Sequence, residues 1–290
     1  DDKSISKSVI RGDDSLLLKY QNANMRVVVS SSRGVDEGPS ILFITAVDTV
    51  SGRIIYRANH MDAEGPVCAV VVENNIIVSF WNNKAKRSEI SSITLIEGMV
   101  DRHDLGPFGF ANGKHNSRTE KAKHSFSSFS QETAIALNKT FIMPRPVVAM
   151  HQSITANGIS NKDIIIAFEN GQVYTLDRRQ IDPRRPINPP VQRDLTEGLR
   201  QYSPFVFMNP GSCLTYNSTI PASNHVSISS FPSFLESTAL VLFFGLDLYF
   251  VRTNPSQGFD LLSSTFDFTL LIVILTVMTF GVFSLRHWSK

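Results

Sequence analysis

The sequence predicts an all-β domain of short antiparallel strands followed by a single C-terminal transmembrane helix. Three observations carry this. Residues 14–100 hold seven short runs rich in Val, Ile and Leu, separated by turn formers. Three pairs of such runs are joined by hairpin chemistry. Near the end, 18 consecutive residues from Phe268 to Leu285 carry no charge.

The strands come first. The runs at 15–20, 25–30, 41–47, 53–57, 67–72, 76–80 and 90–96 are apolar and too short for helices. No amphipathic helix separates them, which argues for an antiparallel sheet rather than a parallel α/β one. Asn74-Asn75 lies between two of them and predicts a tight turn, because Asn tolerates positive φ.

The hairpins narrow the architecture. Asp48-Thr49-Val50-Ser51-Gly52 closes one strand and opens Arg53-Ile54-Ile55-Tyr56. Asp and Ser side chains can bond turn amides, and Gly supplies positive φ. This strand–turn–strand–aromatic run resembles the hairpin of quinoprotein-like β-propeller blades. Asn170-Gly171, between 163–168 and 172–176, predicts a two-residue type I′ turn. A third hairpin pairs 239–244 with 246–251 around Gly245. Four-stranded blades around an axis would bury such hairpins without long open edges, so a propeller is expected over residues 1–100 and 137–258.

Two stretches read differently. Residues 101–136, with Ser, Lys and His concentrated in 115–131 and almost no aliphatic residues, read as a disordered insert or long surface loop. Residues 182–210 are rich in proline, which strand interiors do not accommodate, so they read as a connection over the surface with a short helix near 194–201.

The terminal run has the length of a membrane span. Its 18 residues make about 27 Å of helix, the thickness of a thin bilayer. Its polar side chains are hydroxyls that can bond back to helix carbonyls. Asp260 and Asp267 precede it, while Arg286, His287 and Lys290 follow. Basic residues stay cytosolic. This predicts a luminal or extracellular body, a membrane-interface segment at 259–267, a span at 268–285 and a cytosolic tail at 286–290. The opening Asp1-Asp2-Lys3 has no Met and no apolar leader, so the chain is expected to be a processed product or the C-terminal part of a longer protein.

Composition excludes some functions. The chain is 42% hydrophobic, 19% charged and net +2, which gives no electrostatic footprint for nucleic acid. Cys68 and Cys213 could form one disulfide in an oxidising compartment, or stay as two buried thiols. Sequons at Asn138-Lys139-Thr140 and Asn217-Ser218-Thr219 offer glycosylation sites on the luminal side. No Cys-x-x-Cys, His-Glu-x-x-His, Gly-x-Ser-x-Gly or Walker-type loop is present. The seven histidines lack ligand spacing. No catalytic, metal or cofactor residue is therefore assigned, and no cofactor is expected. Arg11-Gly12-Asp13 spells an integrin-type tripeptide, which three residues alone do not support.

A family resemblance adds to this. It rests on Trp81-Asn82-Asn83-Lys84-Ala85-Lys86-Arg87, Ile93-Thr94-Leu95-Ile96-Glu97-Gly98, Gly158-Ile159, residues 163–167, Gly171 and Ile181-Asp182-Pro183-Arg184-Arg185-Pro186. Further matches are Tyr202-Ser203-Pro204, Tyr216-Asn217-Ser218-Thr219 and, most specific, Leu235-Glu236-Ser237-Thr238-Ala239-Leu240-Val241. That last block continues through Gly245-Leu246-Asp247-Leu248-Tyr249, Arg252, Pro255-Ser256 and Phe259-Asp260-Leu261. The set resembles the C-terminal region of the family of subunit 1, the largest subunit, of the endoplasmic reticulum membrane protein complex, over about 66–100 and 140–290. The resemblance departs at 101–136.

What the resemblance implies is a luminal, non-catalytic scaffold of β-propellers with one membrane helix. Its partners would be the other subunits, the bilayer and, indirectly, client transmembrane segments such as tail anchors and those of multipass proteins. No nucleotide is involved. Within that reading Arg184, Arg185, Asp247, Arg252, Asp260 and Asp267 are candidate subunit contacts, and Arg184 and Arg185 could equally serve a purely structural turn. Two rivals stay open: a stand-alone type I receptor with a ligand-binding propeller, and a membrane-tethered enzyme.

Overall fold

The computed structural model describes residues 8–13, 15–32, 39–100, 127–129, 133–215, 227–245, 248–254 and 268–288. Among these residues fifteen strands form four antiparallel sheets. The first sheet joins β1 (Ser8–Ile10), β2 (Leu16–Lys19), β6 (Ala63–Val72), β7 (Asn75–Asn82), β8 (Arg87–Val100) and β9 (Ile135–Ile142) in the order β1-β2-β8-β7-β6, with β9 also on β8. The long β8 serves two neighbours: its first half pairs with β9 and its last residues pair with β2. The second sheet is β3 (Met25–Ser32), β4 (Ile41–Asp48) and β5 (Ile54–Met61). The third is β10 (Val147–Gln152), β11 (Ile164–Phe168) and β12 (Val173–Leu176), and the fourth β13 (Ser227–Pro232), β14 (Ala239–Phe244) and β15 (Leu248–Thr253).

Alternation explains how the sheets stack. Strand side chains point to opposite faces with period two. In β4, Leu42, Ile44 and Ala46 are buried together, and they meet Ile76, Val78, Phe80, Ile93 and Leu95 of the first sheet. The opposite face of the first sheet, through Ile77, Ile90 and Phe141, meets Ile164, Ile166 and Phe168 of the third. The other face of β11, through Ile165 and Ala167, meets Ile228, Val241 and Phe243 of the fourth. Three apolar interfaces therefore join the four sheets in series. The central β7 and β11 are apolar on both faces, and for that reason they read as continuous hydrophobic runs.

The sequence expectations for the strands hold at 16–19 and from 25 to 96 with longer ends, while β1, β9, β10 and β13 are additional. The strand β9 begins at Ile135, inside the stretch expected as an insert; residues 101–126 lie outside the described residues.

Two turns differ from expectation. Val72 pairs with Asn75, so the hairpin loop is Glu73-Asn74, and Glu73 takes φ 55°. In the third sheet the Phe168 amide donates to Gln172 O at 2.9 Å, giving a three-residue loop closed by Gly171 at φ 80° instead of a two-residue one. The Asp48 turn is as expected. Asp48 Oδ1 accepts from the Val50 and Ser51 amides at 2.8 and 3.1 Å, and Gly52 has φ 69°. Asn22 donates to the second oxygen at 2.8 Å, and this hydrogen bonding prevails over burial to hold the Asp48 carboxyl at about 2.

The C-terminal helix runs Phe268–Trp288, 21 residues, or about 31 Å. All its described side chains are exposed, Leu285 and Arg286 included. Thr276 and Thr279 donate to Ile272 O and Leu275 O at 2.6 and 2.9 Å, so their hydroxyls are satisfied within the helix. Among the described residues no helix is long and apolar enough to cross a membrane.

Candidate functional site

The proline-rich connection gathers a cluster of charged side chains around Arg184, Glu197 and Arg193. After β12 it makes a 3-10 turn (Arg178–Ile181), capped by Asp177 accepting from the Arg179 amide. It then forms helix α1 (Gln192–Thr196), shorter than expected and ended by Gly198 at φ 73°. Proline cannot donate to a ladder, so this segment borders sheets without joining them as regular strand. It touches two edges. The Ile142 amide donates to Pro204 O at 2.6 Å and the Val206 amide to Ile142 O at 3.0 Å, closing the edge of β9. The Leu214 amide donates to Val173 O at 2.7 Å, closing the edge of β12.

Arg184 and Arg185 hold this segment in different ways. Arg184 pairs with Asp182 at 2.8 Å and Glu197 at 2.9 Å. Burial disfavours its charge, but the two carboxylates outweigh that and raise its pKa above the ordinary arginine value. Arg185 is buried: its guanidinium donates to the carbonyls of Gln180, Arg200 and Gln201 and lies over the Phe141 ring at 5.9 Å. Its own carbonyl accepts from Lys139, whose ammonium sits 4.9 Å from the Tyr202 ring centroid. The Tyr202 hydroxyl donates to Thr140 O at 2.8 Å.

Arg185→Ala leaves three carbonyls without this donor, and a loss of about 2–4 kcal/mol in stability is expected by urea unfolding. Arg185→Lys should recover little, because an ammonium cannot fork to carbonyls in three directions.

The Arg11-Gly12-Asp13 tripeptide is used inside the chain. It forms the turn between β1 and β2 against α1. Arg11 Nε lies 3.6 Å from Glu197, and Asp13 3.5 Å from Arg193. The Gly12 amide donates to Glu197 at 3.2 Å. A Cβ on Gly12 would stand 2.2 Å from Arg193 O, so only glycine allows this approach.

Beside this contact is a cleft of about 420 Å³, bordered by Lys19, Glu73, Lys162, Arg178, Arg184 and Glu197 among others. Glu73, at the β6–β7 turn, receives Lys19 at 2.8 Å, Lys162 at 3.1 Å and Arg178 at 3.6 Å. Burial works against its charge, but the Lys19 hydrogen bond and the three cations prevail and bring its pKa to about 2. Nearby Asp163 behaves oppositely. Burial, reinforced by Asp177, pushes its carboxyl up to about 7 despite Arg179 and Arg178.

Glu236 forms a second polar centre. Its side chain accepts from Thr155 Oγ1 (2.8 Å) and from the amides of Asn157 (2.6 Å), Ile159 (2.8 Å) and Ser160 (3.0 Å). Ser160 Oγ donates to its carbonyl at 2.8 Å. One buried carboxylate thus pins the loop between β10 and β11 to the segment between β13 and β14. Burial opposes its ionisation, yet these donors hold its pKa below the usual range. No motif points to this role; the signal in the sequence is an acidic residue within an otherwise uncharged stretch, 231–246.

Other expected residues fall elsewhere. Asn138 is exposed on β9, and its Oδ1 accepts from Ser91 at 3.1 Å. Arg252 is exposed on β15, opposite Leu240. Asn217, Asp247, Asp260 and Asp267 lie outside the described residues. Cys68 and Cys213 form no disulfide. Both pack against the core between the first and third sheets. Cys68 Sγ donates to Val148 O at 3.0 Å, and burial pushes its thiol up to about 11. Among the described residues no three His, Cys, Asp or Glu side chains are grouped to hold a metal.

A family model described as ER membrane protein complex subunit 1, second β-propeller, matches residues 1–256. The chain belongs to this family. A Xenopus laevis protein named ER membrane protein complex subunit 1 is 33% identical over 286 residues, 98% of this chain and 27% of that protein. Its Gallus gallus counterpart is 32% identical over the same shares. The Schizosaccharomyces pombe protein of that name is 26% identical over 270 residues, 92% of this chain and 28% of the relative. The chain therefore spans about a quarter of the length of these relatives. The resemblance read from the sequence is confirmed, and the family's propeller description agrees with four stacked antiparallel sheets. Two of the blocks that carried it, Ile181-Asp182-Pro183-Arg184-Arg185-Pro186 and Leu235-Glu236-Ser237-Thr238, supply the Asp182–Arg184 pair with Arg185 and the Glu236 centre.

Proposed function

We propose that the chain is the membrane-proximal part of a non-catalytic scaffold subunit of the endoplasmic reticulum membrane protein complex, supporting insertion of tail-anchored and multipass proteins. The observation that carries this is the family match across residues 1–256, with the helix Phe268–Trp288 beyond it in the chain. That helix is apolar on all sides by sequence from Phe268 to Leu285, and its described side chains are all exposed. An apolar helix exposed all round is expected to meet lipid or other membrane helices. In this reading the β-sheets are luminal, residues 259–267 lie at the membrane interface, Arg286 marks the cytosolic end, and Asn138 and Asn217 are glycan acceptors. Arg252, Asp247, Asp260 and Asp267 face the neighbouring subunits near the bilayer, whereas Arg184 and Arg185 act through the shape of the loop they hold.

The test is affinity purification in mild detergent, comparing the native chain with Leu275→Arg/Val277→Arg. Each arginine at a helix centre costs about 3 kcal/mol of insertion, so the double variant should become extractable by alkaline carbonate and lose co-purifying membrane subunits. A native chain that purifies as a lone glycoprotein would instead indicate the receptor, and hydrolytic or redox turnover would indicate an enzyme.

A further inference from the structure

We propose that the cleft above Glu73 is a binding site for a small phosphate-bearing ligand, taken up as a dianion. The cleft carries a surplus of positive charge and an unmet donor, whatever the role of the chain as a subunit. Lys19 ends β2, Lys162 lies just before β11 and Arg178 opens the 3-10 turn after β12, so three separate elements deliver cations to one point. Among the described residues one carboxylate, Glu73, meets all three, at 2.8, 3.1 and 3.6 Å. Two positive charges are left over. The other carboxylates of the cleft wall do not supply the balance. Asp182 is taken by Arg184, and Glu197 by Arg184 and Arg11. Asp163, which Arg178 and Arg179 reach at longer range, does not line the cleft, and neither does Asp177.

Donor geometry points the same way. Among the described residues Arg178 Nη1 is buried from solvent and has no hydrogen-bond acceptor, its 3.6 Å approach to Glu73 being an ion-pair distance and too long for a hydrogen bond. A buried guanidinium N–H without an acceptor is costly, and an anionic oxygen is the group that relieves it most. Arg179 lines the same cleft, and the rest of the wall is mixed, with Ser8, Ser160 and Asn161 beside Val9, Ile159 and Leu199. The volume of about 420 Å³ is within the range of small-ligand sites and leaves room for an ester group beyond the phosphate. A phosphate dianion matches both the surplus of two charges and the planar fork of arginine.

The experiment uses the full-length protein in detergent, with inorganic phosphate as the probe, titrated calorimetrically at constant ionic strength against sodium chloride. Saturable phosphate binding is expected, with none for chloride. Arg178→Gln and Lys162→Gln should each weaken it about tenfold or more, while Arg87→Gln, whose partner Glu89 is on the same strand, should leave it unchanged. Circular dichroism of each variant confirms that the fold persists. Glycerol 3-phosphate as a second probe separates the sources: tighter binding than inorganic phosphate indicates a lipid head group, and equal or weaker binding indicates free phosphate. Absence of saturable binding overturns the proposal, as does binding that survives both Arg178→Gln and Lys162→Gln.

Discussion

Glu236→Ala is expected to cost about 3–5 kcal/mol in stability, measured by urea unfolding of the detergent-solubilised chain. The substitution removes one carboxylate but strands four donors: Thr155 Oγ1 and the amides of Asn157, Ile159 and Ser160. Donors buried without acceptors cost about 1–3 kcal/mol each. Part of this is recovered because Asn157 and Ile159 are partly accessible and the loop can turn toward water. Glu236→Gln separates charge from shape. An amide keeps one acceptor oxygen but presents an NH2 to amides that also donate, so about half of the loss should remain. The defect should be local first, with amide exchange rising at 155–160 before the β-sheets open. A variant with native exchange at these amides would show that Glu236 does not hold the loop.

Asp163→Asn should stabilise the protein at pH 8 by an amount on the order of 4 kcal/mol and have little effect at pH 4. The folded carboxyl titrates at about 7, burial being the first cause and Asp177 the second, whereas an unfolded aspartate titrates near 3.9. Between these values the folded state holds a proton that the unfolded state has released. Stability from this group is therefore complete below about pH 4 and is lost as pH rises through about 7. Asparagine cannot ionise and escapes that loss. Glu73 and Asp48 act in the opposite sense. Their folded values of about 2 give stability that is present above the unfolded carboxylate value and disappears as pH falls toward 2. Unfolding free energies at pH 5, 6, 7 and 8 isolate the Asp163 contribution. The expected result is a native curve that declines across this interval and a variant curve that stays level. Parallel curves would refute the assignment.

Much of the fold was legible in the sequence because it is a local matter. The Asp48–Gly52 turn depends on bonds spanning two or three residues, and an Asp-to-Gly pattern announces it. Strands β7 and β11 showed as unbroken apolar runs because each is buried on both faces. Strand β9 was harder to see: its Ile-Ala-Leu-Asn-Lys-Thr-Phe-Ile sequence alternates poorly, as Asn138 and Lys139 bond to Ser91 and to Arg185 O on opposite sides. Propensity for positive φ favours a turn at Asn74-Asn75, one residue later than the Glu73-Asn74 turn that forms. Tertiary contact overrode that preference, as Glu73 is drawn to three cations and Asn75 is buried within β7.

By itself the sequence determined the strand-rich class, the apolar terminal helix and, through the order of its motifs, the family. Each of these depends on short-range periodicity or on residue identity along the chain. Only the tertiary structure decided what the charged residues do. Glu73 meets Lys162 and Arg178 from about 90 and 105 residues away, and Glu236 meets Thr155 from 81. Charge alone does not say which cation a carboxylate will find, because Coulombic attraction and hydrogen bonding depend on distances that sheet stacking sets. The all-β class was therefore readable from pattern, whereas the clamp at Glu236 and the cation-rich cleft at Glu73 exist only once four sheets have packed face to face.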